Sequence, residues 1–144
     1  MNQAVLEDRL GAWVEFRQSL STSDNILQDI AEFWSDTKLI PFNHAVDPYN
    51  QSSWPTPWDI IAENKYDELT LAIMIGYTIK LSEAYKDSTV TVRTMVDATR
   101  TRLYTLVYVD DKYVLNYDRN SVVKAQDIDD SFFLENLVEL ARPR

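Results

Sequence analysis

The stretch NKYDELTLAIMIGYTIKLSEAY, residues 64–85, decides how the rest of the chain is read. Leu69, Leu71, Ala72, Ile73, Ile75, Gly76 and Ile79 place apolar groups around almost the whole circumference of a helix. Such a helix has no face to give to water, so it belongs at the centre of a fold. Asn64 is placed to cap it, and Asp67 three residues later completes a capping-box-like pair at the positive end of the helix dipole. Gly76 in the interior costs about 1 kcal/mol against Ala, which implies that another element packs closely there. The apolar run Leu69–Ile79 is flanked by Asp67, Glu68 and Lys80 and falls short of the roughly 20 residues that span a bilayer.

Beyond Lys86-Asp87-Ser88 the period changes to two. Residues 89–96 (TVTVRTMV), 103–109 (LYTLVYV) and 112–117 (KYVLNY) are rich in Val, Thr and Tyr and read as strands. Asp97–Arg102 reads as a hairpin loop, Asp110-Asp111 as a tight turn, and Ser121–Lys124 as a short fourth strand, which together imply an antiparallel meander. Residues 129–141, with Phe132, Phe133, Leu137 and Leu140, read as a closing amphipathic helix.

Before the central helix, Ile26, Ile30, Phe33 and Trp34 share one face of a helix over 25–36. Val5–Leu20 fits a helix through Leu6, Leu10, Trp13 and Val14. Residues 38–57 have no period and four prolines, and read as a long ordered loop packed down by Phe42, Tyr49, Trp54 and Trp58. Thr56 then caps a short helix with Pro57 at its first position. The expected class is therefore α+β, one domain over 1–144. N-terminal helices and a central buried helix pack on an antiparallel meander, with a C-terminal helix last.

Composition narrows the chemistry. The chain has 144 residues, 14 Lys+Arg against 23 Asp+Glu, and a net charge of −9. That balance opposes non-specific binding to nucleic acid or anionic lipid. With no Cys and one His, a thiolate nucleophile, a Cys-based zinc site and a multi-His metal site are all excluded. No cofactor is expected. The first twenty residues carry charges throughout and do not read as a signal peptide, so a soluble protein of a host cytoplasm or a virion is expected.

The order of elements resembles the core of the transglutaminase-like (papain-like) superfamily. Thr56-Pro57-Trp58-Asp59-Ile60-Ile61 resembles its lead-in, and Asn64-Lys65-Tyr66-Asp67 resembles its helix start. Val107-Tyr108-Val109-Asp110-Asp111-Lys112-Tyr113 resembles its hairpin. The resemblance covers residues 54–118 and implies a Cys at the helix start, a His on the hairpin and an Asp on the following strand. Here the first position falls near Asp67, the second near Arg102 and the third near Asn116 or Asp118. Two of the three residue types are missing, so a degenerate member that is not an enzyme is expected. The wording of residues 50–61 and 66–81 is also similar to short proteins of tailed bacteriophages, which implies a phage-encoded or virion setting.

Other candidates carry plainer readings. His44, with Asp47 three residues on, could serve as a general base in a small hydrolase, but a loop histidine bonded to backbone explains it as well. Ser52 and Ser53 lack a nucleophile elbow. Asp67 and Glu68, as neighbours on a helix, do not face each other and read as capping residues. Asp127, Asp129, Asp130 and Glu135 lack the Gly and the spacing of a calcium loop.

Arg93, Arg100 and Arg102 form one basic cluster with Tyr104, Tyr108, Tyr113 and Tyr117, flanked by Lys112 and Arg119. Tyr and Arg are the preferred anchors of protein interfaces, and this reading stands ahead of stacked nucleic acid. A tyrosine-rich sheet whose basic residues face water competes with both. The expected function is a non-catalytic structural or interaction protein of a phage neck or tail, binding other proteins in a multi-copy assembly. A His44 hydrolase is one alternative. The other is an acidic mimic of nucleic acid that blocks a host DNA-binding protein, though the acids are scattered among both signs.

Overall fold

The computed structural model describes residues 6–43, 46–128 and 131–144. Its helices are α1 (Leu6–Ser19), α2 (Ile26–Trp34), α3 (Pro57–Glu63) and α4 (Glu68–Leu81). Its strands are β1 (Val90–Val96), β2 (Leu103–Val109), β3 (Tyr113–Asp118), β4 (Ser121–Lys124) and β5 (Phe133–Glu139). The strands form one antiparallel sheet in the order β4-β3-β2-β1-β5. The class is α+β, with the helices on one face of the sheet.

Eleven of the fourteen residues of α4 are buried, so this helix is the axis of the molecule. Its cap is Asp67, whose carboxylate accepts the Thr70 N–H at 2.7 Å and the Asn43 N–H at 3.0 Å. Asn64 does not cap α4. It ends α3 instead, in the left-handed conformation at φ 55°, which Asn tolerates better than most residues. The start of α3 matches the sequence reading: Thr56 Oγ1 accepts the Asp59 N–H at 3.2 Å, and Pro57 follows.

Thr78 joins α4 to two other helices. Its hydroxyl accepts the indole N–H of Trp13 at 3.2 Å and of Trp34 at 3.3 Å, and donates to the Met74 carbonyl at 2.8 Å. At the far end, the buried Lys80 ammonium donates to the Lys86 and Ser88 carbonyls at 2.9 and 2.7 Å. That fixes the turn from α4 into β1.

The meander follows the sequence expectation, with Asp110 and Asp111 both at φ 54° in a two-residue turn of the primed hairpin kind. Val90, Val92, Val107, Val109 and Leu115 face α4 in the main core. Met95, Leu106, Tyr108 and Val114 line the opposite face and pack with Ile128 and Phe132 in a smaller second core.

The closing helix expected over 129–141 is not formed. Residues 133–139 are strand β5, paired antiparallel to β1 at the sheet edge, and Asp129 and Asp130 lie outside the described residues. The open side of β1 offers a ladder, and the Leu140 N–H extends it to the Val90 carbonyl at 2.8 Å. Leu140 also seats above Gly76, where an added Cβ would lie 2.4 Å from Leu140 Cδ1. That is the close approach which the interior glycine implied.

The loop over 38–57 is held by its own polar groups and by the core, where Val46 is buried and Trp54 packs. Trp54 Nε1 donates to the Asp47 carbonyl at 2.7 Å, and Ser53 Oγ accepts the Asp47 N–H at 2.9 Å. Phe42 and Tyr49 stay 57% and 59% exposed, so these two aromatics are not the packing that was expected of them. Among the described residues, no helix is long and apolar enough to cross a membrane.

Candidate functional site

Strands β2 and β3 pair only through Val107–Val109 and Tyr113–Leu115. Beyond that they part, because Asn116 turns left-handed at φ 67°. Thr105 pairs with Thr94 on β1 but has no partner on β3, and two side chains approach its peptide groups there. Asn116 Nδ2 donates to the Thr105 carbonyl at 3.0 Å. The Glu68 carboxyl, from the first turn of α4, lies close enough to the Thr105 N–H for that dipole to act on its titration. Glu68 is half-buried, and burial pushes its carboxyl above the usual carboxylate range. The Thr105 N–H opposes that rise, as does Arg102, while Asp67 adds to it and Arg119 reduces it.

The strand register extends this site across the sheet. Asn136, Thr94 and Thr105 form one row on the helix side, with Thr94 and Thr105 both buried. Asn136 Nδ2 donates to the Pro48 carbonyl at 2.6 Å and ties the long loop to the sheet. The next row is Phe133, Val96 and Leu103. Val96 is buried, but Phe133 and Leu103 are 48% and 51% exposed, beyond the reach of α4. The result is a polar floor around Glu68 beside an apolar shelf. The cavity bounded by Trp13, Phe33, Trp34 and Tyr66, of about 330 Å³, lies elsewhere, among the helices.

The residues singled out in the sequence are distributed differently. Arg93 stacks on the Tyr108 ring at 3.9 Å and pairs with Asp111. Arg102 lies 4.5 Å from the Tyr104 ring, and Tyr104 and Tyr117 both contact Phe132, with centroids 4.9 and 6.2 Å apart. These groups share the outer sheet face. Tyr113 instead packs on the helix side, and Arg100, at the β1–β2 turn, pairs with Glu135 at 3.2 Å. Arg119 donates to the Trp34, Ser35 and Thr37 carbonyls at 3.4, 3.1 and 3.0 Å, closing the end of α2.

His44 lies outside the described residues. Ser52 and Ser53 are held in the turn around Asn50. Asp127 sits in a short turn before Ile128. Among the described residues no three His, Cys, Asp or Glu side chains converge to hold a metal ion.

Asn116 was among the positions marked by the resemblance, and Asp67 proved to be the cap. Glu68, read as a capping residue, points to β2 instead. Thr105 was not singled out at all. Its one signal is a polar residue in an otherwise apolar face, Leu103-Thr105-Val107-Val109.

No family model and no curated protein matches this chain. The structure is similar to LapG of Legionella pneumophila. The calcium-bound form has a TM-score of 0.71 at 16% identity over 95% of this chain and 77% of that one. A second LapG structure gives 0.70 at 16% over the same shares. The EGTA-treated form gives 0.67 at 17%, over 92% and 73%. LapG has the transglutaminase-like (papain-like) cysteine protease fold, so the fold resemblance drawn from residues 54–118 extends over nearly the whole chain.

These neighbours offer no counterpart to the phage resemblance. They also correct the expectation of a chain that is not an enzyme. That expectation rested on unmatched Cys and His positions, whereas the chain, without a cysteine, shares the fold of cysteine proteases.

Proposed function

We propose that this chain recognises an extended segment of another polypeptide at the α4–sheet junction, on the shelf formed by Leu103 and Phe133. The observation that carries the reading is the apolar row Phe133–Val96–Leu103, which runs out from the core into solvent beside the polar floor of Glu68, Thr105 and Asn136. Exposed apolar groups next to a few fixed polar ones suit a ligand with side chains to bury and a backbone to bond. The fold neighbours are proteases, whose substrates are polypeptides, which supports the same ligand class. Among Glu68, Thr105, Asn116 and Asn136, Glu68 carries the one titratable group, so chemistry on a bound segment would use its carboxyl.

Selection from a library of extended peptides tests the proposal. Wild type should enrich sequences with apolar residues at alternate positions. Leu103→Asp and Phe133→Asp, both at exposed positions and checked for unchanged circular dichroism, should each weaken binding by about tenfold or more. Absence of enrichment, or enrichment unaffected by both changes, would sink it. Mass spectrometry of the bound peptides reads cleavage at the same time, and its loss in Glu68→Gln would assign that chemistry to the carboxyl. The phage-particle setting rests on sequence resemblance alone, and probing purified virions with an antibody to the chain tests it.

A further inference from the structure

We propose that the groove between the C-terminal ends of α1 and α4 is an oxyanion-binding site, with Arg17 and Arg142 as its cationic arms. The groove has a volume of about 820 Å³ and is lined by Val14, Arg17, Gln18, Leu81, Ser82 and Glu83, among others. It lies at the opposite end of α4 from the Glu68 site and is independent of the function proposed there.

Arg17 is the reason for the assignment. Its guanidinium rests 4.3 Å from the Trp13 ring centroid and 5.9 Å from that of Trp58. Among the described residues it makes no hydrogen bond or ion pair, and its Nε is fully buried without a partner. A guanidinium carries five N–H donors in a planar fork, and leaving them unbonded in a partly buried place is costly. Stacking on indole satisfies the faces of the cation but none of these donors.

The surroundings favour an anion. Arg142 sits at the edge of the groove, against two residues that line it, with Nη2 3.5 Å from the Leu81 carbonyl and 3.8 Å from Glu83 Oε2. Burial first, and then the like charge of Arg142, lowers the pKa of Arg17. Glu83 is the one acid among the lining residues, and its charge is already matched by Lys86 at 2.7 Å and Arg142 at 3.8 Å. The negative ends of α1 and α4 hold cations here, yet no carbonyl of either is bonded by Arg17. A locally positive groove thus persists in a chain of net charge −9. Two guanidinium groups with free donors match the planar oxygens of a carboxylate or the face of a phosphate.

Titration at constant ionic strength tests the site, with tryptophan emission as the signal because Trp13 and Trp58 carry the Arg17 cation. Inorganic phosphate is one arm and acetate the other, with chloride as the baseline. Wild type should show a saturable change with at least one of the two oxyanions and none with chloride. Saturation by phosphate alone assigns a phosphate-type ligand, and by acetate alone a carboxylate. Arg17→Gln should bind about tenfold more weakly or worse. Arg142→Gln, at a side chain 44% exposed, keeps the test available if the Arg17 variant fails to fold, and should also bind more weakly. No saturation with either oxyanion, or wild-type affinity in both variants, overturns the proposal.

Discussion

Glu68 shows how much one side chain depends on where the rest of the chain goes. As the residue after a helix cap it reads as a dipole partner, and Asp67 beside it does act as the cap. The carboxyl instead lies near the Thr105 N–H where β2 and β3 part, and burial raises its pKa. The native state therefore holds this proton more tightly than the unfolded state does. The stabilisation is fully present below the usual carboxylate range and is lost as pH rises through the raised folded value. Glu68→Gln is neutral throughout, so its stability relative to wild type should improve between about pH 4 and about pH 7. Urea midpoints of both proteins at the two values measure this. An unchanged difference would mean that the carboxyl titrates alike folded and unfolded.

Among the elements, one hydroxyl bonds to side chains from two other helices within their shared core. Thr78 serves Trp13 of α1 and Trp34 of α2 from the middle of α4. Thr78→Val keeps the shape and orphans two buried indole N–H groups, so a loss of about 2 kcal/mol or more is expected, with Thr78→Ser recovering much of it. Chemical unfolding measures both, and a valine variant within about 0.5 kcal/mol of wild type would mean that the indoles find other partners.

The spacing that marks α4 as central is local and readable, because a helix apolar all round has one place to go. β5 was not readable in the same way. Phe132, Phe133, Leu137 and Leu140 fit a helical stripe, while the alternation a strand would show is broken by the register shift between Thr94 and Met95. The open side of β1 and the notch at Gly76 then decide the matter against local pattern.

At the scale of the molecule, the net charge of −9 is sharpened by where the basic residues go. Lys80 and Arg119 are spent on backbone carbonyls, and Arg93 and Arg100 on carboxylates of neighbouring turns and strands. Self-repulsion among the remaining acids should make stability depend on ionic strength. Raising sodium chloride from about 10 mM to about 150 mM should raise Tm by a few degrees, because the screening length falls to about 8 Å. Calorimetry at a fixed pH above neutrality measures it, and a flat or falling Tm would show that attractive pairs outweigh the repulsion.

The amino-acid sequence by itself determined the α+β class, the central helix, the meander to Lys124, and the exclusion of thiol and multi-His chemistry. Each of these follows from residue type or from a period shorter than one element. Only the tertiary structure decided that residues 133–139 pair with β1, that Glu68 and Asn116 both approach Thr105, and that Arg17 lines a groove without an ion pair. Those facts join residues far apart in the chain, and their distances are set by how the elements pack rather than by any spacing along it.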